Sequence, residues 1–83
     1  ILEHHRERLD EITGVLSAKP MCAFEVAGKM TWYYKEGNFQ DYPLVMKWMA
    51  TSEILAHLQY LWEQGEVSRF GGPGETYIYR YGS

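Results

Sequence analysis

One feature constrains this chain most: a helical repeat of apolar residues that stops at Gly65 and passes straight into two alternating runs. From Pro43 to Gln64, the residues Leu44, Trp48, Thr51, Leu55, Leu58 and Trp62 recur at three- and four-residue steps, and Ile54 and Leu61 widen the stripe. Such steps place side chains on one helical face. Pro43 suits the first turn of a helix and Gly65 its end. The Ala50-Thr51-Ser52 step leaves room for an interruption, because Thr and Ser also serve as caps. After Gly65, Glu66–Phe70 and Glu75–Tyr81 alternate with period two around Gly71-Gly72-Pro73-Gly74, which reads as a hairpin. Tyr77, Tyr79 and Tyr81 share one face of it, and Ile78 and Arg80 the other.

Two helices precede this unit. Residues of about 2–18 carry Leu9, Ile12, Val15 and Leu16 on one face and Arg6, Glu7, Asp10 and Glu11 on the other, until Lys19-Pro20 ends the segment. Residues of about 23–32 form a shorter helix with Phe24, Ala27 and Met30 as its inward stripe. Cys22 stands at the cap position with Glu25 three residues later, a capping box whose thiol is a poor acceptor. Met21 and Cys22 are placed to add a short edge strand. Three helices, at about 2–18, 23–32 and 43–64, then a hairpin at about 66–70 and 75–81, follow the order of a winged helix. The fold class expected is mainly α with a small β-hairpin, in a single domain over residues 1–83.

At 83 residues the chain has room for one thin core. Its 46% hydrophobic and 16% aromatic content supplies that core with large rings. The connection from Trp32 to Tyr42 is rich in them. Trp32, Tyr33, Tyr34 and Phe39 either pack back on the body or meet a partner, since both cores and interfaces use aromatic rings. They are the candidate interdomain or partner surface, including one for a homodimer.

Eight basic and eleven acidic residues give a formal charge of −3, which disfavours a free-standing nucleic-acid binder. The candidate phosphate contacts reduce to Lys47 on the third helix and Arg69 and Arg80 on the hairpin. That is few cations for an affinity that depends on neutralising phosphate charge. The glycine run at 71–74 leads into a strand rather than a helix, so it lacks the N-terminal dipole of a phosphate cradle.

Chemistry-bearing residues are sparse. His4 and His5 are adjacent and diverge on a helix, while Glu53 and His57 share a face. Two ligands fall short of the three or four that zinc takes from protein. The single cysteine, Cys22, excludes an internal disulfide and has no base marked beside it in sequence. No catalytic, cofactor or metal residue is therefore assigned to this chain. No apolar run reaches membrane-span length and no signal peptide opens the sequence, so the expected location is cytoplasmic. A first residue of Ile rather than Met is expected of a piece of something longer.

Several segments together resemble the winged-helix domain that follows the catalytic domain in many metallo-β-lactamase-fold hydrolases. That group includes hydroxyacylglutathione-hydrolase-like proteins and a mitochondrial endoribonuclease. The segments are Glu3-His4-His5-Arg6-Glu7-Arg8-Leu9-Asp10-Glu11-Ile12, Pro20-Met21-Cys22-Ala23-Phe24-Glu25-Val26-Ala27, where the family commonly has Thr at Cys22, Ser52-Glu53-Ile54-Leu55-Ala56-His57-Leu58-Gln59-Tyr60-Leu61, and Gly65-Glu66-Val67. The resemblance implies an accessory domain that packs on its own N-terminal catalytic domain and walls the substrate cleft. It implies zinc for that catalytic domain. The family's His-x-His-x-Asp-His ligand run is not in this sequence, so no metal ligand carries over. The other readings are a nucleic-acid-binding module and a protein-interaction module.

Overall fold

The computed structural model describes residues 3–32, 39–72 and 74–82. Helix α1 spans Glu3–Leu16, strand β1 Met21–Cys22, helix α2 Ala23–Lys29, helix α3 Leu44–Glu63, and strands β2 and β3 Val67–Phe70 and Ile78–Tyr81. A short 3-10 turn, Phe39–Asp41, precedes α3. The three strands form one antiparallel sheet in the order β1-β3-β2. Three helices with a small antiparallel sheet match the mainly-α expectation and are compatible with a winged helix.

The core lies where the helices meet the inner face of the sheet. Leu9, Ile12 and Leu16 of α1, Val26 and Ala27 of α2, and Ile54, Leu58 and Leu61 of α3 are buried against Met21, Val67 and Tyr79 of the strands. Register explains the sheet's share. Met21 and Arg69 both pair with Tyr79, and Val67 pairs with Tyr81, so these residues point to one side. Arg80, Ile78 and Phe70 point to the other.

Helix α2 ends at Lys29 rather than near Trp32. Met30 is already extended, and the next backbone N–H, from Thr31, donates to Glu11 Oε2 at 2.7 Å. Arg8 fixes the same junction. Its guanidinium donates to the Thr31 carbonyl at 2.9 Å, pairs with Glu53 of α3 at 3.2 Å, and lies 4.7 Å from the Trp32 ring centroid. One side chain of α1 thus ties the end of α2 to the middle of α3.

Helix α3 runs unbroken through the Ala50-Thr51-Ser52 step. The Thr51 hydroxyl donates back to the Lys47 carbonyl at 2.8 Å, a bond made within a continuing helix rather than at a cap. At its C-terminal end the N–H of Glu66 donates to the Leu61 carbonyl at 2.9 Å and that of Gly65 to the Trp62 carbonyl at 3.1 Å. Gly65 has φ +78, so this is a Schellman end that leads straight into β2. Between β2 and β3, Gly71 has φ +137, and a Cβ there would stand 3.0 Å from the Tyr77 ring. The turn is closed by Gly72 and Glu75, which exchange bonds of 2.8 Å to the Glu75 carboxylate and 3.0 Å to the Gly72 carbonyl. Glu75 therefore belongs to the turn, and strand pairing begins at Ile78.

Candidate docking surface

The inward arc of α3 is Ala50, Ile54, Leu58 and Leu61. Ile54, Leu58 and Leu61 belong to the stripe that the sequence spacing gives, while its Leu44–Trp48–Leu55–Trp62 edge, about a quarter of a helical turn away, is exposed. Ala50 is buried in the same core as Ala23, Val26 and Ala27 of α2, which packs against α3, and small side chains suit closely packed helices.

The large residues displaced by that packing face outward. Leu44, Val45, Trp48 and Met49 are 82%, 59%, 69% and 62% exposed. All four lie on the first two turns of α3, where Lys47, half-buried, is the only charged residue between Leu44 and Ala50. A hollow of about 330 Å³ lined by Met46, Met49, Ala50 and Glu53 adjoins them. A helix with apolar residues on every side is normally covered on every side, and contiguous exposed patches of this kind mark contact surfaces. The signal was present in sequence, as Leu44-Val45-Met46-Lys47-Trp48-Met49-Ala50 is too apolar for a half-buried helix.

The ring-rich connection is placed differently. Phe39 is only 7% exposed and meets the Phe24 ring edge-on and the Tyr42 ring at a tilt, each at 5.7 Å, so its own ring fills the core. Trp32 is half-buried, and its indole N–H donates to the Ala27 carbonyl at 2.8 Å. Tyr33 and Tyr34 lie outside the described residues.

The three candidate phosphate contacts are dispersed. Arg69 lies between the Trp62 and Tyr77 rings, with centroids 3.8 and 4.3 Å away, and donates to Gln59 Oε1 at 3.0 Å. Arg80, on the opposite face of the sheet, lies 5.4 Å from the Phe70 centroid. Lys47 is on the first half of α3. The structure does not gather them into one basic patch.

A polar groove of about 620 Å³ runs between α1 and α3, lined by His5, Glu7, Arg8, Glu11, Thr31, Glu53 and His57. His57 Nδ1 meets the Glu53 carbonyl at 2.8 Å, while the Glu53 carboxylate is taken by Arg8. His5 and His57 contact edge to face at 5.8 Å. Among the described residues, no three His, Cys, Asp or Glu side chains are grouped to hold a metal ion. Cys22 is half-buried at the start of α2, where its own N–H donates to Glu25 Oε1 at 3.1 Å.

Comparison of the fold with solved structures matches it to a beta-lactamase domain protein from Burkholderia ambifaria, with a TM-score of 0.73 and 31% sequence identity over 94% of this chain. This chain is similar to one segment of a β-lactamase domain protein. It spans about a fifth of that protein, 21% of its length. No protein-family model matches the chain, and no curated protein matches it. No helix among the described residues is long and apolar enough to cross a membrane.

Proposed function

We propose that this domain is the non-catalytic accessory domain of a zinc-dependent metallo-β-lactamase-type hydrolase, packed on the catalytic domain of the same protein and forming part of the rim of its substrate cleft. The observation that carries this reading is the match itself: nearly all of this chain corresponds to only 21% of a β-lactamase domain protein. The uncovered apolar face of α3 supports it, because a surface of that kind is stable in water when a neighbour covers it.

The zinc of such a parent belongs, in this reading, to its catalytic domain, since no three ligands come together among the described residues of this one. In this reading the domain's own residues shape and exclude; they bind no metal and move no proton. Nucleic-acid binding has less support, because Arg69 and Arg80 are already engaged with this domain's own rings.

The reading frame upstream of Ile1 tests the proposal. A His-x-His-x-Asp-His run encoded there, in a domain continuous with this one, upholds it. A frame that opens at this domain removes it, as would chelator-resistant hydrolysis of a thioester, a lactam or RNA by the purified 83-residue chain.

A further inference from the structure

We infer that the outward face of the first two turns of α3, made by Leu44, Val45, Trp48 and Met49, is the seat on which the larger domain of the same polypeptide rests. The inference depends on the accessory-domain reading and adds to it a surface and an occupant.

Three observations select that occupant. First, the face is apolar and its stretch of helix carries a single charge, Lys47. A phosphate backbone needs several cations within reach, so nucleic acid is a poor fit; an apolar protein surface is a good one. Second, four side chains present on the order of several hundred Å². A freely associating partner or a second copy ordinarily needs about 800 Å² per side. A tethered domain needs less, because the linker holds it at an effective concentration in the millimolar range, and interfaces between domains of one chain begin at about 600 Å² in total. Third, the matched protein extends well beyond the segment that corresponds to this chain, which fills only 21% of it. Such a chain contains the covalently linked partner that the small face calls for.

The hollow beside Met46 and Met49 gives the contact a fixed register. Unbranched methionine side chains adjust to what enters, so the hollow takes one apolar side chain of the neighbouring domain.

The test is hydroxyl-radical footprinting of the full-length protein, read by mass spectrometry at two tryptophans of this domain. Here Trp48 is 69% exposed and Trp62 is 39% exposed, so without a covering domain Trp48 is modified faster. With the domain seated on α3 the order reverses, and Trp48 is modified at least about fivefold more slowly than Trp62, as the core of an interface excludes water. The ratio then stays constant over about a hundredfold dilution, since a tethered contact does not depend on concentration. Equal or faster modification of Trp48 overturns the inference. So does protection that fades on dilution, which would make a second copy the occupant. If the upstream frame encodes the catalytic domain and Trp48 is nonetheless modified quickly, the accessory-domain reading survives and only the seat is wrong. If no such domain is encoded, both fall.

Discussion

The guanidinium of Arg69 lies 3.8 Å from the centroid of the Trp62 ring, which joins the middle of β2 to the last turn of α3. Tyr77 closes the other side at 4.3 Å, and Gln59 accepts from the same guanidinium. The cation that sequence alone offers to phosphate is a rivet between β2 and α3. Arg69→Ala is expected to lower unfolding stability by about 1–2 kcal/mol, the combined worth of two partly shielded cation–π contacts and the lost packing of the stem. Arg69→Lys is expected to recover only part of it, because an ammonium does not stack as a planar guanidinium does. Urea unfolding of the three proteins measures this, and an unchanged midpoint for Arg69→Ala would refute the rivet.

The orientation of α3 is open to a comparison of neighbours. Ile54 is fully buried and Leu55 is exposed. Ile54→Ala is expected to cost about 3–5 kcal/mol, as deletion of core methyl groups does. Leu55→Ala is expected to cost less than about 1 kcal/mol. If Leu55→Ala proved the more damaging, the helix would be turned toward its Leu44–Trp48–Leu55–Trp62 line.

That line shows where sequence reasoning reached and where it stopped. Caps, turns and periods are local chemistry, so Gly65, the glycine turn, the Cys22–Glu25 box and the β1 edge strand were legible. The inward face of α1 was legible too, since Leu9, Ile12 and Leu16 oppose an acidic face. Helix α3 is apolar on more than one side, and then periodicity cannot choose between sides. The choice is a tertiary one, since the side carrying Ala50, Ile54, Leu58 and Leu61 is the one that is buried where α3 meets α2 and β2. The docking face is what that choice left uncovered. Its residues look like core in sequence, and the mark of a surface among them is that the helix has more apolar positions than one buried face can use.

Two rings separate surface from core in the same way. Phe39→Ala is expected to cost about 3–5 kcal/mol, because the ring is buried between Phe24 and Tyr42. Trp48→Ala is expected to change the stability of the 83-residue domain by no more than about 0.5 kcal/mol, since the indole faces solvent there. Thermal unfolding distinguishes the two. A large loss from Trp48→Ala would mean that its ring packs within this domain and is not held ready for a neighbour.

The start of α2 carries a pH signature. The Cys22 backbone N–H, and after it the Cys22 side chain, hold the Glu25 carboxyl below its ordinary value of 4.5 against the opposing effect of burial, with smaller help from Lys19 and Lys29. A carboxylate whose folded value is depressed stabilises the fold above its unfolded value, and that contribution disappears as pH falls through the folded value. Glu25 therefore adds stability at neutral pH that fades from about 4.5 downward. Glu25→Gln keeps the shape but not the charge, and loses this part of the pH dependence. Thermal midpoints of the two proteins are expected to differ most near neutrality and to converge as pH falls from about 5 to 3. Parallel curves across that range would show that the Cys22–Glu25 bond does not couple protonation to folding, and that α2 is held in place by Arg8, Glu11 and its buried face instead.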